Sequence, residues 1–104
     1  MNKKHVDIDR RASKEMVQFP EEVLIAFKIA LKVLTRNGCL VPPYGKKIDQ
    51  DLYEIRIQHF GQWRFLYSYF KYNWIVILSA FQKKSQRTPL VELKKARKRM
   101  REYL

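Results

Sequence analysis

Hydrophobic residues run almost without interruption from Trp74 to Phe81, and the polarity of the chain changes abruptly after them. This run is rich in β-branched residues, which predicts a strand covered on both faces at the centre of a sheet. A helix is the alternative, but the run is short for a helix and lacks capping residues. The next segment, Gln82–Pro89, carries Lys83, Lys84 and Arg87 and contains no acid. A cluster of cations therefore follows the most apolar strand.

Two earlier segments alternate between apolar and polar side chains. In the first, Leu52–Gln58, one face carries Tyr53, Ile55 and Ile57, and the other carries Glu54, Arg56 and Gln58. In the second, Trp63–Tyr69, one face carries Trp63, Phe65, Tyr67 and Tyr69, and the other carries Arg64, Leu66 and Ser68. Such alternation predicts strands. The short connections between these segments and the central strand predict an antiparallel meander.

Helical spacing marks the first third of the chain. His5–Ile8 alternates weakly and predicts an edge strand, after which Asp9 is a candidate cap for a helix over Arg10–Gln18. Pro20 is predicted as the first residue of a second helix, with acids in its first turn and Gly38 as its stop. These two helices resemble an αα-hairpin broken at Pro20.

Two further segments complete the pattern. Leu40–Gln50 contains Pro42 and Pro43 and is interpreted as a connection, since two prolines continue neither a helix nor a central strand. Thr88 is predicted to cap a closing helix in which Pro89 is the first helical residue. The fold class is therefore α+β: two N-terminal helices on an antiparallel sheet, closed by a basic C-terminal helix, with residues 1–104 as one domain.

The charge of the chain narrows its function. The formal net charge is +12, from 22 Lys and Arg against 10 Asp and Glu. Solubility needs far less, so a polyanionic partner is expected: RNA, DNA, an anionic membrane surface or an acidic protein. The single cysteine, Cys39, excludes an internal disulfide and fits a reducing compartment. The sequence has no long apolar run and no signal-peptide pattern, so a cytoplasmic protein without membrane association is expected.

Three segments resemble the HigB-like, phage-derived branch of the RelE/ParE toxin superfamily: LYEIR at 52–56, WRFLY at 63–67 and FQKKSQRTP at 81–89. The resemblance implies the RelE-like fold and the toxin of a type II toxin–antitoxin module. Such toxins typically cleave mRNA, often on the ribosome. They are neutralised by a helix-turn-helix antitoxin, and they contact operator DNA only through the toxin–antitoxin complex. The superfamily also contains gyrase poisons, so a gyrase-directed toxin remains an alternative, as does a non-catalytic nucleic-acid-binding module.

Cations are the candidates for RNA cleavage without metal or cofactor, because no histidine pair, metal-ligand cluster or glycine-rich phosphate loop is evident. The predicted catalytic residues are Arg56, Arg64, Lys83 and Lys84. A charge within the apolar strand at Arg64 must be paired or functional. For both Arg56 and Arg64 the structural alternative is an ion pair with Glu54 that braces the sheet, and an arginine oriented in this way can still bind phosphate. A lysine crowded by cations has a lowered pKa and is suited to proton transfer.

The remaining cations form broader basic surfaces. The predicted RNA-binding residues are Lys28, Lys32, Arg36, Arg87, Lys94, Lys95, Lys98 and Arg101, which are either solvated faces or a footprint on ribosomal RNA. Tyr67 is a candidate for base stacking and Tyr103 for proton transfer, with packing as the alternative for both.

Overall fold

The computed structural model describes residues 4–104, which form five strands and three helices. In chain order these are β1 (His5–Ile8), α1 (Arg10–Met16), α2 (Glu21–Asn37), β2 (Gly45–Asp49), β3 (Leu52–Gln58), β4 (Gln62–Phe70), β5 (Trp74–Lys83) and α3 (Leu90–Arg101). The predicted α+β class, with two N-terminal helices, a sheet and a closing basic helix, is confirmed.

The strands form one sheet in the order β1-β5-β4-β3-β2. The meander β3–β4–β5 is antiparallel as predicted, and β2 continues it on the far side of β3. The predicted edge strand β1 pairs with β5 in parallel, so the sheet is mixed at that edge. β5 is buried from Ile75 to Phe81, as its unbroken apolar run predicts.

The two faces of the sheet carry different helices. On one face, α1 and α2 pack against β3, β4 and β5, and the Phe27 ring stacks on Phe65 with 4.1 Å between centroids. On the other face, Ala96 and Met100 of α3 pack against Leu66 and Leu78. β3 and β4 alternate because one face packs on α1 and α2, while the opposite face carries the charged side chains Glu54, Arg56 and Arg64 beside the residues that contact α3.

β5 continues past the end of β1, and side chains satisfy the backbone groups that lose a strand partner there. The Ala80 N–H donates to Glu15 Oε1 over 3.1 Å, and Arg99 Nη1 donates to the Leu78 carbonyl over 2.7 Å. Arg99 also donates to both Glu15 oxygens, at 3.0 and 2.9 Å. This pair joins α1 and α3 at the edge of the sheet and protects backbone groups that would otherwise be unpaired.

Four sequence predictions about element bounds are wrong. The segment interpreted as a connection contains β2, an edge strand that begins just after the two prolines. Pro20 and Pro89 are helix caps with extended ψ angles of 144° and 140°, so each helix starts one residue later than predicted. The φ angle fixed by a proline ring fits the cap as well as the first helical position. The first helix ends at Met16, before Gln18.

Among the helices within residues 4–104, none combines the length and the apolar character needed to cross a membrane.

Candidate phosphate-binding site

A buried carboxylate, Glu54, organises the charged end of the sheet. Its side chain is 2% exposed, and its Oε2 lies 3.3 Å from Arg64 Nε and 3.9 Å from Arg56 Nε. Arg56 and Arg64 are directly opposite each other in the β3–β4 register, which places both guanidinium groups on the face that α3 covers. The predicted ion pair between Glu54 and the arginines is therefore present.

Arg64 is the most deeply placed cation of this group, with a side chain only 3% exposed. Its Nη1 donates to the Trp63 carbonyl over 3.1 Å, and its Nη2 donates to Gln62 Oε1 over 3.2 Å. Burial lowers the pKa of Arg64, and the negative charge of Glu54 partly offsets that effect. Arg64 Nε and Glu54 Oε2 are buried without a well-aligned hydrogen bond, so the pair is held by charge rather than by ideal geometry.

Lys83 ends β5 opposite Gln62 and lies on the same face of the sheet as Arg64. Burial lowers the pKa of Lys83, and the positive charges of Arg64, Arg56 and Lys46 lower it further. Only Glu54 acts in the opposite direction. A lysine in this setting gives up its proton more readily than a solvated one, which suits it to proton transfer.

Lys46 is the cation of this group that the sequence analysis misses. It lies on β2 directly opposite Glu54, so its side chain projects from the same face of the sheet. The segment was interpreted as a connection, and its exposed lysines show no apolar alternation that would have predicted a strand. The only sequence signal for a basic site here is the Lys46-Lys47 pair, and it does not indicate which of the two lysines lies on the face of the sheet that carries Glu54.

These residues form the cation cluster, defined here as Lys46, Arg56, Arg64 and Lys83 around Glu54. With all four cations charged, one carboxylate leaves three positive charges uncompensated. Arg56 is one-third exposed and Lys83 is partly exposed, whereas Arg64 is buried beneath them. A graded arrangement of this kind is chemically suited to an anion at its surface, and a phosphate group is the anion that paired guanidinium groups match best.

Three other predicted site residues lie apart from the cluster. Lys84 is exposed beyond the end of β5, and it takes part in no ion pair or side-chain hydrogen bond recorded for residues 4–104. Tyr67 is 2% exposed and packs among Tyr53 and Tyr69 on the opposite face of the sheet. Burial raises the pKa of its hydroxyl far above the ordinary range.

Tyr103 lies at the other end of the α3 face. Its ring is 5.8 Å from that of Phe70, which is six residues along β4 from Arg64, or about 20 Å at the usual rise of a strand. Its hydroxyl donates to Asp9 Oδ2 over 2.6 Å. Burial and this hydrogen bond raise the pKa of Tyr103 to about 12. The contacts of Tyr103 are thus those of a packing residue.

The predicted RNA-binding cations occupy both outer layers of the molecule. On α2 and α3 and in the segment before α3, seven of them are exposed: Lys28, Lys32, Arg36, Arg87, Lys94, Lys98 and Arg101. Lys95 is half-buried and pairs with Glu15 at 3.2 Å and with Glu92 at 3.4 Å. The basic surface therefore extends well beyond the cation cluster. Residues 4–104 contain no group of three or more His, Cys, Asp or Glu side chains that could hold a metal ion.

Comparisons with known proteins place these features in context. The family model described as "Phage derived protein Gp49-like (DUF891)" matches residues 14–101. Comparison with curated proteins finds no significant match. Among solved structures, the fold is similar to that of the E. coli toxin RelE, a double arginine-to-alanine mutant in the free state. The TM-score is 0.69 at 19% identity, over 93% of this chain and 97% of that one.

A second similar structure is the toxin–antitoxin complex RelBE2 from Mycobacterium tuberculosis. The matched chain has a TM-score of 0.61 and 21% identity, over 82% of this chain and 97% of that one. At these identities the two structures establish a shared fold.

Proposed function

Because the chain belongs to the phage-derived Gp49-like family and has the fold of the RelE toxins, we propose that it is the toxin of a type II toxin–antitoxin system. Its activity is endonucleolytic cleavage of mRNA on the ribosome, which inhibits translation in the cytoplasm. The proposed catalytic activity is supported by the cation cluster. Four cations lie around one buried carboxylate, and two of them, Arg56 and Lys83, are partly exposed to solvent.

The cleavage step is an attack within the RNA strand. Lys83, in its neutral form, accepts the proton of a 2′-hydroxyl group as that oxygen forms a bond to the adjacent phosphorus. The bond from phosphorus to the 5′-oxygen breaks, and the leaving oxygen takes a proton from solvent. The products are a 2′,3′-cyclic phosphate and a 5′-hydroxyl end. No metal or cofactor takes part in this proposal.

The arginines stabilise the charge that develops during this step. Arg56 reaches the phosphate oxygens from β3, while Arg64 supplies positive potential from beneath them. Glu54 holds both arginines on one side of the sheet and is itself too deeply buried to meet a solvent-exposed phosphate. Rigid neighbouring strands aim such charges accurately, which is where most of the catalytic benefit of preorganised charge arises. Lys84 remains a candidate for an outer phosphate contact.

The exposed cations of α2 and α3 bind the ribosome in this proposal. Each adds a general attraction to ribosomal RNA phosphates that salt weakens, without defining the cleavage position. Their distribution over two layers of the molecule supports an extended footprint rather than one compact contact.

The proposed protein partner is a helix-turn-helix antitoxin, through which the complex contacts operator DNA. The similar fold of a chain from the toxin–antitoxin complex RelBE2 supports an antitoxin as the partner. A basic toxin of this kind needs an inhibitor during synthesis, and an acidic surface on that inhibitor complements a net charge of +12.

Induction of the gene without its neighbour tests the proposal. Growth should stop, and primer extension should map new 5′ ends within translated mRNA. Intact transcripts in arrested cells, together with lost DNA supercoiling, would instead identify a gyrase-directed toxin. Normal growth with tight but non-cleaving RNA binding would identify a docking module.

A further inference from the structure

An apolar groove lies between α2, the segment before β2 and the second half of β3, and the first residue of β4 also lines it. It encloses about 660 Å³ and is lined by Ala26, Ile29, Ala30, Val33, Leu40, Val41, Pro43, Tyr44, Ile55, Arg56, Ile57, Gln58 and Gln62. β2 pairs only with the first part of β3, up to Ile55, so the second part of β3 is left beside the groove. The volume is that of a typical binding pocket.

The walls of the groove expose large apolar side chains. Ile29 is 58% exposed, and Val41 and Tyr44 are each 64% exposed. Ile25, one helical turn before Ile29, is 51% exposed and extends this surface along α2. Single exposed apolar residues are ordinary, but a contiguous set that lines a groove marks an interaction surface.

Charge around the groove is positive. Arg56 is the one charged residue of the lining, and the basic stripe of α2, formed by Lys28, Lys32 and Arg36, lies beside Ile25 and Ile29 on the outer surface of the helix. The acids of α2, Glu21 and Glu22, are confined to its first turn. An occupant with apolar residues on one side and carboxylates on the other would satisfy both the groove and its rim.

We propose that the α2–β3 groove is the docking site of the antitoxin, which inserts an amphipathic segment with acidic residues along its polar side. This inference rests on the proposed function for the identity of the partner, and it adds the surface and the chemistry of recognition. Aliphatic side chains dominate the walls, and Tyr44 is the single aromatic residue of the lining. A nucleobase site is built mainly from aromatic stacking surfaces, so the groove suits a protein segment better than RNA.

Arg56 connects the groove to the cation cluster. Arg56 lies at the edge of the groove, and its guanidinium group, on the α3 face of the sheet, lies 3.9 Å from Glu54 and is one-third exposed, so a docked segment that reaches past the edge of β3 can meet it. A carboxylate of the docked segment that pairs with Arg56 removes a phosphate ligand from the cluster. The antitoxin would therefore inhibit cleavage from the groove without covering Lys83.

The test measures binding of the purified helix-turn-helix protein encoded by the neighbouring gene. Ile29→Glu places a carboxylate in the apolar wall, at a position exposed enough to leave the fold intact. The matched control is Val91→Glu, an equally exposed apolar residue (65%) on α3, outside the groove. We expect Ile29→Glu to weaken binding about tenfold or more and Val91→Glu to change it little. Hydrogen exchange of the wild-type complex should show protection over residues 26–33 and 40–44.

Each result is decisive. Equal binding by Ile29→Glu and wild type, or protection confined to other segments, overturns the groove while the toxin function stands. Failure of the wild-type chain to bind this protein also overturns the docking proposal. In that case, growth arrest and mRNA cleavage on induction still decide the proposed function independently.

Discussion

The ion pair between Glu54 and Arg64 predicts that replacing one partner lowers the stability of the fold more than replacing the other. Glu54→Gln leaves Arg64 without a carboxylate, because Glu54 is its only ion-pair partner within residues 4–104. Arg64→Met leaves Glu54 near a second cation, Arg56, at 3.9 Å. The two side chains are similarly buried, at 2% and 3% exposed. The loss of stability should therefore be larger for Glu54→Gln.

The magnitude follows from the cost of an unpaired buried charge. Removing one partner of a buried pair costs about 3–5 kcal/mol, so Glu54→Gln should lose about 4 kcal/mol. Arg64→Met should lose about 2–3 kcal/mol, because Arg56 compensates part of the carboxylate charge. The double variant should lose at least about 2 kcal/mol less than the sum of the two single losses, since neither charge remains unpaired.

Urea denaturation followed by tryptophan fluorescence measures these differences. With a denaturant slope of about 2 kcal/mol per M, the midpoint of Glu54→Gln should fall by about 2 M. Single-turnover cleavage is then measured where each variant is folded. Folded Arg64→Met should cleave about 10²-fold more slowly with little change in ribosome affinity, as expected for a lost source of transition-state stabilisation.

Two results would refute this reasoning. Equal stability of the single variants, or strict additivity in the double variant, would show that the pair does not hold the cluster together. A folded Arg64→Met protein that cleaves at the wild-type rate would make Arg64 a structural residue only.

Four further predictions follow from charges on the molecule. With Lys83 as the base, the cleavage rate should rise as the pH passes through the lowered pKa of Lys83. Lys46→Met removes a nearby cation and raises the pKa of Lys83, so the rise in cleavage rate should move to higher pH. Cleavage should persist under a chelator mild enough to leave ribosomes assembled; loss that a metal acting on the toxin restores would contradict this. Replacing both Lys94 and Lys98 by Gln should weaken ribosome binding, with a normal cleavage rate at saturation. The slope of log affinity against log salt concentration should become shallower by about 1.4–1.8. An unchanged slope would show that these two lysines do not contact ribosomal RNA. The hydrogen bond from Arg11 lowers the pKa of Asp9, so the stability that Asp9 contributes is complete above its unfolded pKa of about 4 and falls as the pH drops below that value. In urea titrations at several pH values, Asp9→Asn should therefore make the free energy of unfolding less dependent on acid pH. An unchanged dependence would show that Asp9 does not contribute in this way.

The spacing of apolar residues predicted the elements in which the polarity of each side chain depends on the layer that it faces. Alternation predicts the faces of β3 and β4 correctly, and β5, which is apolar on both sides, is an interior strand as expected, although the middle strand of the sheet is β4. β2 was missed because it is an exposed edge strand, where two lysines and a half-buried Ile48 show no apolar face. The phage-derived family that the resemblance implies is confirmed by the family match, and the RelE-like fold that it implies is confirmed by the similar structures.

The site was predictable only where a charge conflicted with its surroundings. Arg64 stood out as a cation within an apolar strand, and its pairing with Glu54 is found at 3.3 Å. Lys83 and Lys84 were indistinguishable in sequence, because their separation depends on which face the last residue of β5 presents. The place of Lys46 in the cluster could not be predicted for a different reason. It depends on the register between β2 and β3, and no local sequence pattern encodes that pairing.

The same register explains how four cations come to surround one carboxylate that pairs with two of them. Glu54 lies between Lys46 on β2 and Leu66 on β4, and Arg56 follows two residues later on its own strand. Each cation comes from a rigid strand rather than a loop, so its distance from Glu54 is set by backbone hydrogen bonds. Burying a single acid beneath the cluster reduces the mutual repulsion of these cations while leaving a positive surface for an anion. A second carboxylate there would bring the cluster closer to neutrality and, in the proposed function, would weaken its attraction for phosphate.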